Sequence, residues 1–360
     1  MSTVARRFGG GPLVVIVAGG LIITLSIGTR QAFGLFLQPL SGDLGWGREV
    51  FALAIAFQNL LWGLSQPVAG LIADRYGSGR VLAGGGILYA GGVLMMSQTS
   101  SVFDIALSGG LLVGLGLSGS GFAIVLAAVG RVVSPERRSL AFGVVSALGS
   151  FGQFVMVPVG QAFLAAYGWS IAFMLLGAIL LLIVPLASAL RGRADAQEAA
   201  ERPDQGIREV LREAAGHSGY RYLVAGFFVC GFHVTFIAFH LPAYLSDQGF
   251  SGAMAATALA LIGLFNIFGS FAFGALGGRY SKKYLLSLLY FARALAILGF
   301  IVLPITSLTI VVFTSVMGLL WLGTVPLTSG IVAEIFGMRY LGTLFGIVFL
   351  SHQVGGFLGV

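Results

Sequence analysis

Gly70-Leu71-Ile72-Ala73-Asp74-Arg75-Tyr76-Gly77-Ser78-Gly79-Arg80 is a charged turn set between two long apolar runs. Residues 50–73 before it and 81–98 after it carry no charged side chain. A helix that crosses the hydrocarbon of a bilayer needs about 20 apolar residues. The stretch therefore reads as a tight connection between two crossings. Gly77 and Gly79 permit backbone angles that other residues resist. Asp74 is placed to pair with a basic residue or to face the positive N-terminus of a neighbouring helix.

Outward from this turn the same alternation continues. Apolar runs lie near 13–37, 50–73, 81–98, 102–129, 140–166, 169–190, 222–246, 253–277, 284–304 and 307–333, and an eleventh runs from 341 to Val360. Barrel strands are about ten residues long and alternate in polarity, so these runs are helices. Hydrophobic residues make up 57% of the chain and charged residues 9%, against about 25% charged in soluble domains. Mean hydropathy is +0.97. A water-soluble enzyme is excluded. The 55 glycines suit helices that pack closely in lipid. The single cysteine, Cys230, excludes a disulfide framework or a cysteine metal site. The fold class is an all-α polytopic membrane helix bundle. Arg6 and Arg7 precede the first run, but no small-residue cleavage site follows, so that helix is retained.

Basic residues orient the bundle. With the N-terminus inside, every Lys and Arg falls in an inner segment except Arg48 outside and Arg30 and Arg293 within spans. The net charge of +7 thus encodes topology, and nucleic acid is not an expected partner. The expected setting is the cell membrane, multi-pass, with a cytoplasmic N-terminus. Residues 191–220 hold 11 charged side chains in 30, with Pro203 and Gly206, and Ile207–Ala215 reads as a short surface helix. This linker divides a six-span half, 1–190, from a second half, 221–360. The halves share an offset of 204 residues. Asp43-Leu44-Gly45-Trp46 matches Asp247-Gln248-Gly249-Phe250, Arg75-Tyr76 matches Arg279-Tyr280, and Gly114 matches Gly318. Parallel repeats of this kind place a substrate site between the halves. The second half shows five spans, so the chain is expected to be shortened before a twelfth.

Residues Gly70 to Arg80, with Gly70, Asp74, Arg75, Gly77 and Arg80 in place, resemble the G-x-x-x-D-R-x-G-x-R loop signature of the major facilitator superfamily. The resemblance covers the whole chain and implies two pseudo-repeated six-helix halves, the last helix missing here. It also implies that this loop latches the halves in one conformation. The second copy, Gly274 to Lys283, has Gly278 in place of the acid, so no latch is expected there. Pro135-Glu136-Arg137-Arg138-Ser139-Leu140-Ala141-Phe142-Gly143 is similar to the loop of the monocarboxylate and oxalate–formate branches. The G-P-x-x-G-G turn of drug–proton antiporters is absent from span 5.

Ionisable side chains at membrane depth mark candidate sites: Arg30, Arg293, His233, His240 and His352. All 13 carboxylates lie in loops or at span ends. A buried guanidinium needs a counter-charge, and a substrate carboxylate fits its planar fork. Arg30 is the first candidate, since the resemblance puts span 1 beside the central cavity. His233 and His240 are seven apart and share a helix face with Tyr244, where they could bond substrate or carry protons. Arg293 is expected to pair with Glu334 or with helix-end carbonyls. Gln58, Asn59 and Gln66, Gln153, Asn266, and His352 with Gln353 are neutral candidates. Gln153 and Asn266 lead because the resemblance places spans 5 and 8 at the cavity. Span 8 lacks the Asp–Arg pair of animal monocarboxylate transporters.

No metal site is expected, because no third ligand stands near the histidines, and no cofactor is expected. Lys282 and Lys283 lack a following Ser or Thr, so no phosphate-binding loop exists. The expected function is secondary active transport of a small organic anion, a monocarboxylate, by alternating access and with protons as partners, by a monomer. Export of hydrophobic or cationic compounds is the alternative. An intramembrane serine protease, from Gly116-Leu117-Ser118-Gly119, is the third reading.

Overall fold

The structure, a computed structural model, describes residues 11–192 and 206–359. Arg6, Arg7, Arg193, Arg202 and Pro203 lie outside them, as does the Arg48 side chain. Among the described residues nine helices are long and apolar enough to cross a membrane. Pro135–Leu190 holds two of the expected crossings, parted where Gly168 takes φ 77 and ψ 172. The 29-residue helix Arg48–Tyr76 adds a further column. We number the crossings in chain order. Span 1 is Pro12–Ala32, span 2 Arg48–Tyr76, span 3 Ser78–Met96 and span 4 Val102–Val132. Spans 5 and 6 are the two limbs of Pro135–Leu190. Span 7 is Ser218–Asp247, span 8 Gly252–Gly277, span 9 Lys282–Val302, span 10 Ser307–Phe336 and span 11 Leu341–Leu358.

Gly77 turns the chain from span 2 into span 3 at φ 101. Gly79 is different from the expectation: it is helical, and what it supplies is room. A Cβ there would stand 2.8 Å from the Ala187 carbonyl oxygen. The 204-residue offset is geometric as well as sequential. Gly45 and Gly249 both take left-handed angles, φ 65 and φ 82. The following residues close the same bond, Trp46 N–H to Ser41 O and Phe250 N–H to Leu245 O, both at 3.0 Å. Gly114 packs on Gln58 and Leu61 of span 2, and Gly318 packs on Ile262 and Phe265 of span 8. Each of these partners is also 204 residues from its counterpart.

Spans 4 and 10 are both broken. Gly121 interrupts the first with an extended backbone, φ −91 and ψ −179. Span 10 divides into Ser307–Leu319 and Thr324–Phe336. The helices before and after the linker meet chiefly along two seams, span 2 with span 11 and span 5 with span 8. Glycines let the backbones touch: Gly70 against the Gly342 carbonyl, Gly143 against Gly274. These crossings lie toward the end that carries the Asp74 turn. On that side, Phe122–Val132 packs on span 11 and Thr324–Phe336 packs on span 5. Toward the opposite end span 2 leans on span 4 through Phe57, and span 11 leans on span 7 through Gly355 and Gly359. Close crossings between the halves thus gather toward the Asp74 end, and toward the other end spans 2 and 11 pack within their own halves.

Span 9 is peripheral, with Leu288, Phe291, Leu295, Leu298 and Ile301 exposed. Water would not tolerate such a row; lipid does. The expected surface helix spans Ile207–Gly216 and buries Val210 and Ala214.

Candidate functional site

The helix rise of about 1.5 Å per residue places each candidate by depth from the Asp74 end. Arg30 and Gln153 sit about 27 Å along spans 1 and 5, Asn59 about 25 Å and His233 about 22 Å along theirs. Gln353 and His352 lie lower, at about 16–18 Å. Arg30 and Gln153 therefore share a level, and the Gly28–Gly152 backbone crossing brings their helices together just beneath it.

At that level Arg30 donates from Nη2 to the Asn59 Oδ1 oxygen at 2.5 Å. Its guanidinium carbon stands 5.7 Å from the centre of the Trp62 ring. Nε is buried and has no hydrogen-bond partner. No carboxylate pairs with Arg30 among the described residues. Trp62 is anchored from below: its indole N–H donates to Gln66 Oε1 at 3.1 Å, and Gln66 Nε2 donates to the Ser118 carbonyl at 2.9 Å, next to the break in span 4. The Trp62 ring lies 5.0 Å from Phe349 of span 11, and Phe349 stacks on His352 at 5.4 Å. One aromatic row thus joins the two halves just below the Arg30 level. Gln353 continues it. Its Oε1 lies 3.1 Å from His352 Nδ1, while Nε2 is buried and unpartnered. Gly63 gives Gln353 its room.

Other candidates fall elsewhere. Gln153 is half-buried beside span 1. His233 is half-buried with an unpartnered Nδ1. His240 is exposed beside Phe236, and Tyr244 packs on Phe300 of peripheral span 9. The span 7 stripe is therefore not gathered at Arg30. Asn266 accepts the Leu322 N–H at 3.0 Å and the Ser270 hydroxyl at 3.2 Å. It fills the break in span 10, with only Nδ2 left unpartnered. Arg293, fully buried, serves the same break. Nε and Nη2 donate to the Leu320 carbonyl at 2.9 and 2.5 Å, Nη2 also reaches the Trp321 carbonyl, and Nη1 stands 3.3 Å from Cys230 Sγ. Of the two expected partners it takes helix-end carbonyls and not Glu334, which pairs with Lys282 at 2.5 Å.

At the Asp74 end, the Asp74 carboxylate crosses to span 11. It accepts Gly342 N–H at 3.3 Å, Thr343 N–H at 2.8 Å and the Thr343 hydroxyl at 2.8 Å. Those amides open span 11, where helical N–H groups lack internal partners and the helix dipole is positive. Arg131 of span 4 completes the cluster, 2.5 Å from Asp74 and 3.0 Å from the Ser78 hydroxyl. Arg75 and Arg80 are exposed, and Arg75 lies against Tyr76. Sequence reasoning had not singled out Arg131, Thr343 or Trp62 for the site. The first two lie 57 and 269 residues from Asp74, beyond any local pattern.

Residues 18–360 match the Major Facilitator Superfamily. The chain belongs to the major facilitator superfamily. This superfamily consists of transporters and not of enzymes, and the chain is a multi-pass membrane member of it. Ser118, the nucleophile of the protease reading, donates its hydroxyl to the Leu115 carbonyl at 2.7 Å. Among relatives of this facilitator, monocarboxylate transporter 13 of Bos taurus is 29% identical over 283 residues, covering 75% of this chain and 62% of its own length. Monocarboxylate transporter 3 of Rattus norvegicus is 28% identical over 298 residues, 80% of this chain and 60% of its own length. The chain thus spans about three fifths of those two relatives. An uncharacterized MFS-type transporter of Bacillus subtilis, YcxA, is 26% identical, covering 92% of this chain and 82% of its own length. Of solved structures, the Escherichia coli fucose:proton symporter FucP in the outward conformation aligns with a TM-score of 0.75 at 16% identity, over 96% of this chain and 90% of its own. The human organic anion transporter MFSD10 aligns at 0.71 and 16% identity, over 97% and 92%. Both show a shared fold.

Proposed function

We propose that this facilitator moves a small organic anion, a monocarboxylate, by alternating access around the Arg30 level. The single observation that carries the reading is the state of Arg30. Its guanidinium is held by a neutral amide and a ring face, with a buried donor left open and no acid beside it. Such a charge at membrane depth is costly until an anion joins it, and a carboxylate matches the fork bidentately. Relatives that carry the name monocarboxylate transporter support the substrate class. Gln153 and the Gln353 amide supply neutral donors for orientation. His233, the nearer of the two span 7 histidines in depth, is assigned to sense or carry a proton. The Asp74 cluster acts as the latch of the closed end, released when the halves rock the other way. The protein sits in the cell membrane with its N-terminus cytoplasmic, as the basic residues at the Asp74 end favour.

Purified protein in proteoliposomes, loaded or fed with labelled acetate, pyruvate and benzoate, tests this. Carboxylate flux above empty liposomes, lost in Arg30→Ala, is the expected result. Wild-type flux in Arg30→Ala removes the assigned role. Export of cationic compounds, the alternative, calls for an acid in the cavity, and flux of a cationic dye in place of carboxylates would favour it.

A further inference from the structure

Arg30 has one hydrogen-bonding neighbour, and its chemistry is a choice. Asn59 is buried, on span 2, and presents Oδ1 to Nη2 at 2.5 Å. An aspartate has almost the same shape and would make the same bond with a full negative charge. Elsewhere in this molecule that solution is used: Asp74 meets Arg131 at 2.5 Å, both side chains buried. The two arginines therefore differ in the charge of their partner while sharing its distance. At Arg131 the carboxylate is a resident of the protein. At Arg30 the seat of the counter-charge is taken by an amide.

We propose that Asn59 is the residue that makes this site an anion receptor: it positions the Arg30 fork through an uncharged acceptor, so that the neutralising charge has to arrive with the ligand. The inference rests on the carboxylate-transport reading and names the residue that sets its charge selectivity. Asn59 and the face of Trp62 fix the guanidinium plane from the same helix, one turn apart. The Nε–H is left without a partner. Asn59 is a positioning residue; Arg30 is the group that meets the substrate.

Charge and bonding are separated by two substitutions with the same branched outline. Asn59→Asp keeps the bond to Arg30 and neutralises it. Asn59→Leu removes the bond and leaves the positive charge free. If Asn59 were merely structural, Asn59→Leu would be the more damaging, because it breaks the contact. If Asn59 sets the charge, the order is reversed. Two measurements are made on the full chain in proteoliposomes. The first is the KM for labelled acetate, pyruvate and benzoate. The second is the rate at which phenylglyoxal, a guanidinium-selective reagent, modifies Arg30, read by peptide mass spectrometry.

We expect Asn59→Asp to raise KM at least tenfold and slow Arg30 modification at least tenfold, with thermal stability no lower than the wild type's. Asn59→Leu should raise KM severalfold and leave modification as fast as in the wild type. Slow modification in Asn59→Asp, with benzoate protecting wild-type Arg30 from phenylglyoxal but no carboxylate flux in the wild type, supports the Asn59 assignment and sinks the transport reading. Wild-type KM and wild-type modification in Asn59→Asp overturn the Asn59 assignment and leave the transport reading standing. An Asn59→Leu variant weaker than Asn59→Asp overturns it too, as does a wild-type Arg30 that phenylglyoxal does not reach.

Discussion

Two arginines stand at membrane depth in this superfamily member, one in each half, and their surroundings are opposites. Arg293 is spent. It is fully buried, its donors end on the Leu320 and Trp321 carbonyls and beside Cys230, and its ring neighbour Tyr290 lies 5.6 Å away. Arg30 is reserved. It is partly exposed, rests on one neutral oxygen and keeps a buried donor open. The difference follows from what each helix break asks of its half. In the first half a neutral amide suffices, Gln66 on the Ser118 carbonyl at 2.9 Å. In the second half the break leaves more backbone without helical partners, and a guanidinium with five donors closes it. The contrast between the two cations is thus one of partners: backbone carbonyls at Arg293, and a single neutral amide oxygen at Arg30.

The largest effect should come from filling that fork with nothing. Arg293→Ala leaves two buried carbonyls without donors, at about 1–3 kcal/mol each, and a cavity that adds about 2–5 kcal/mol. Melting in detergent should fall so far that little folded protein is recovered. Near-wild-type melting of Arg293→Ala would erase the contrast between the two arginines.

Next comes Asp74→Asn. It leaves the buried Arg131 without its counter-charge, a loss of about 3–5 kcal/mol where one member of a buried pair is removed. The three bonds to Gly342 and Thr343 weaken at the same time. Among the described residues the other seam shows no such buried carboxylate cluster. Gly278 stands where Asp74 does, the charges are exchanged so that Lys282 bonds Glu334, and the Ser139 hydroxyl lies buried without a partner beside Gly277. A cysteine pair across each seam, read by cross-linking rate, should therefore show the span 2–span 11 seam opening more often in Asp74→Asn, with the span 5–span 8 seam changing less.

How much of this could be read beforehand depends on distance along the chain. The crossings, the Gly168 division between spans 5 and 6, and the surface helix after the linker follow from apolar runs and local turn chemistry. The Asp74 turn was legible as a motif, and its partners were named as kinds, a base and a helix start. Which base and which helix were not. The breaks in spans 4 and 10 were invisible, because Gly121 and Gly323 look like any of the other glycines and Leu320-Trp321-Leu322 is as apolar as the helix around it. Asn266 therefore reads as a site candidate and Arg293 as a residue tied to Glu334 or to helix-end carbonyls, and only the structure shows that both bond the same break in span 10.

Asn266→Leu tests that brace at a smaller scale. Leu322 N–H and the Ser270 hydroxyl lose their acceptor, which should lower stability by about 1–3 kcal/mol. Carboxylate KM should change less than twofold, because Asn266 lies about 10 Å nearer the Asp74 end than Arg30 by helix rise. A large KM change with unchanged melting would return Asn266 to the binding site.

The smallest effect on stability is the most informative. Arg30→Ala removes one hydrogen bond and one ring contact, together about 1 kcal/mol, and it also removes the burden of an uncompensated charge at membrane depth. The two terms oppose each other, so melting should shift by no more than a few degrees in either direction. What should vanish is the response to ligand. A folded-state ligand at 100 times its Kd stabilises by about 2.7 kcal/mol, so benzoate or pyruvate should raise the melting temperature of the wild type and leave Arg30→Ala where it was. Arg293 admits no such experiment, since its loss takes the fold with it. A variant of Arg30 that melts like the wild type and no longer answers a carboxylate would show that this fork is kept for cargo.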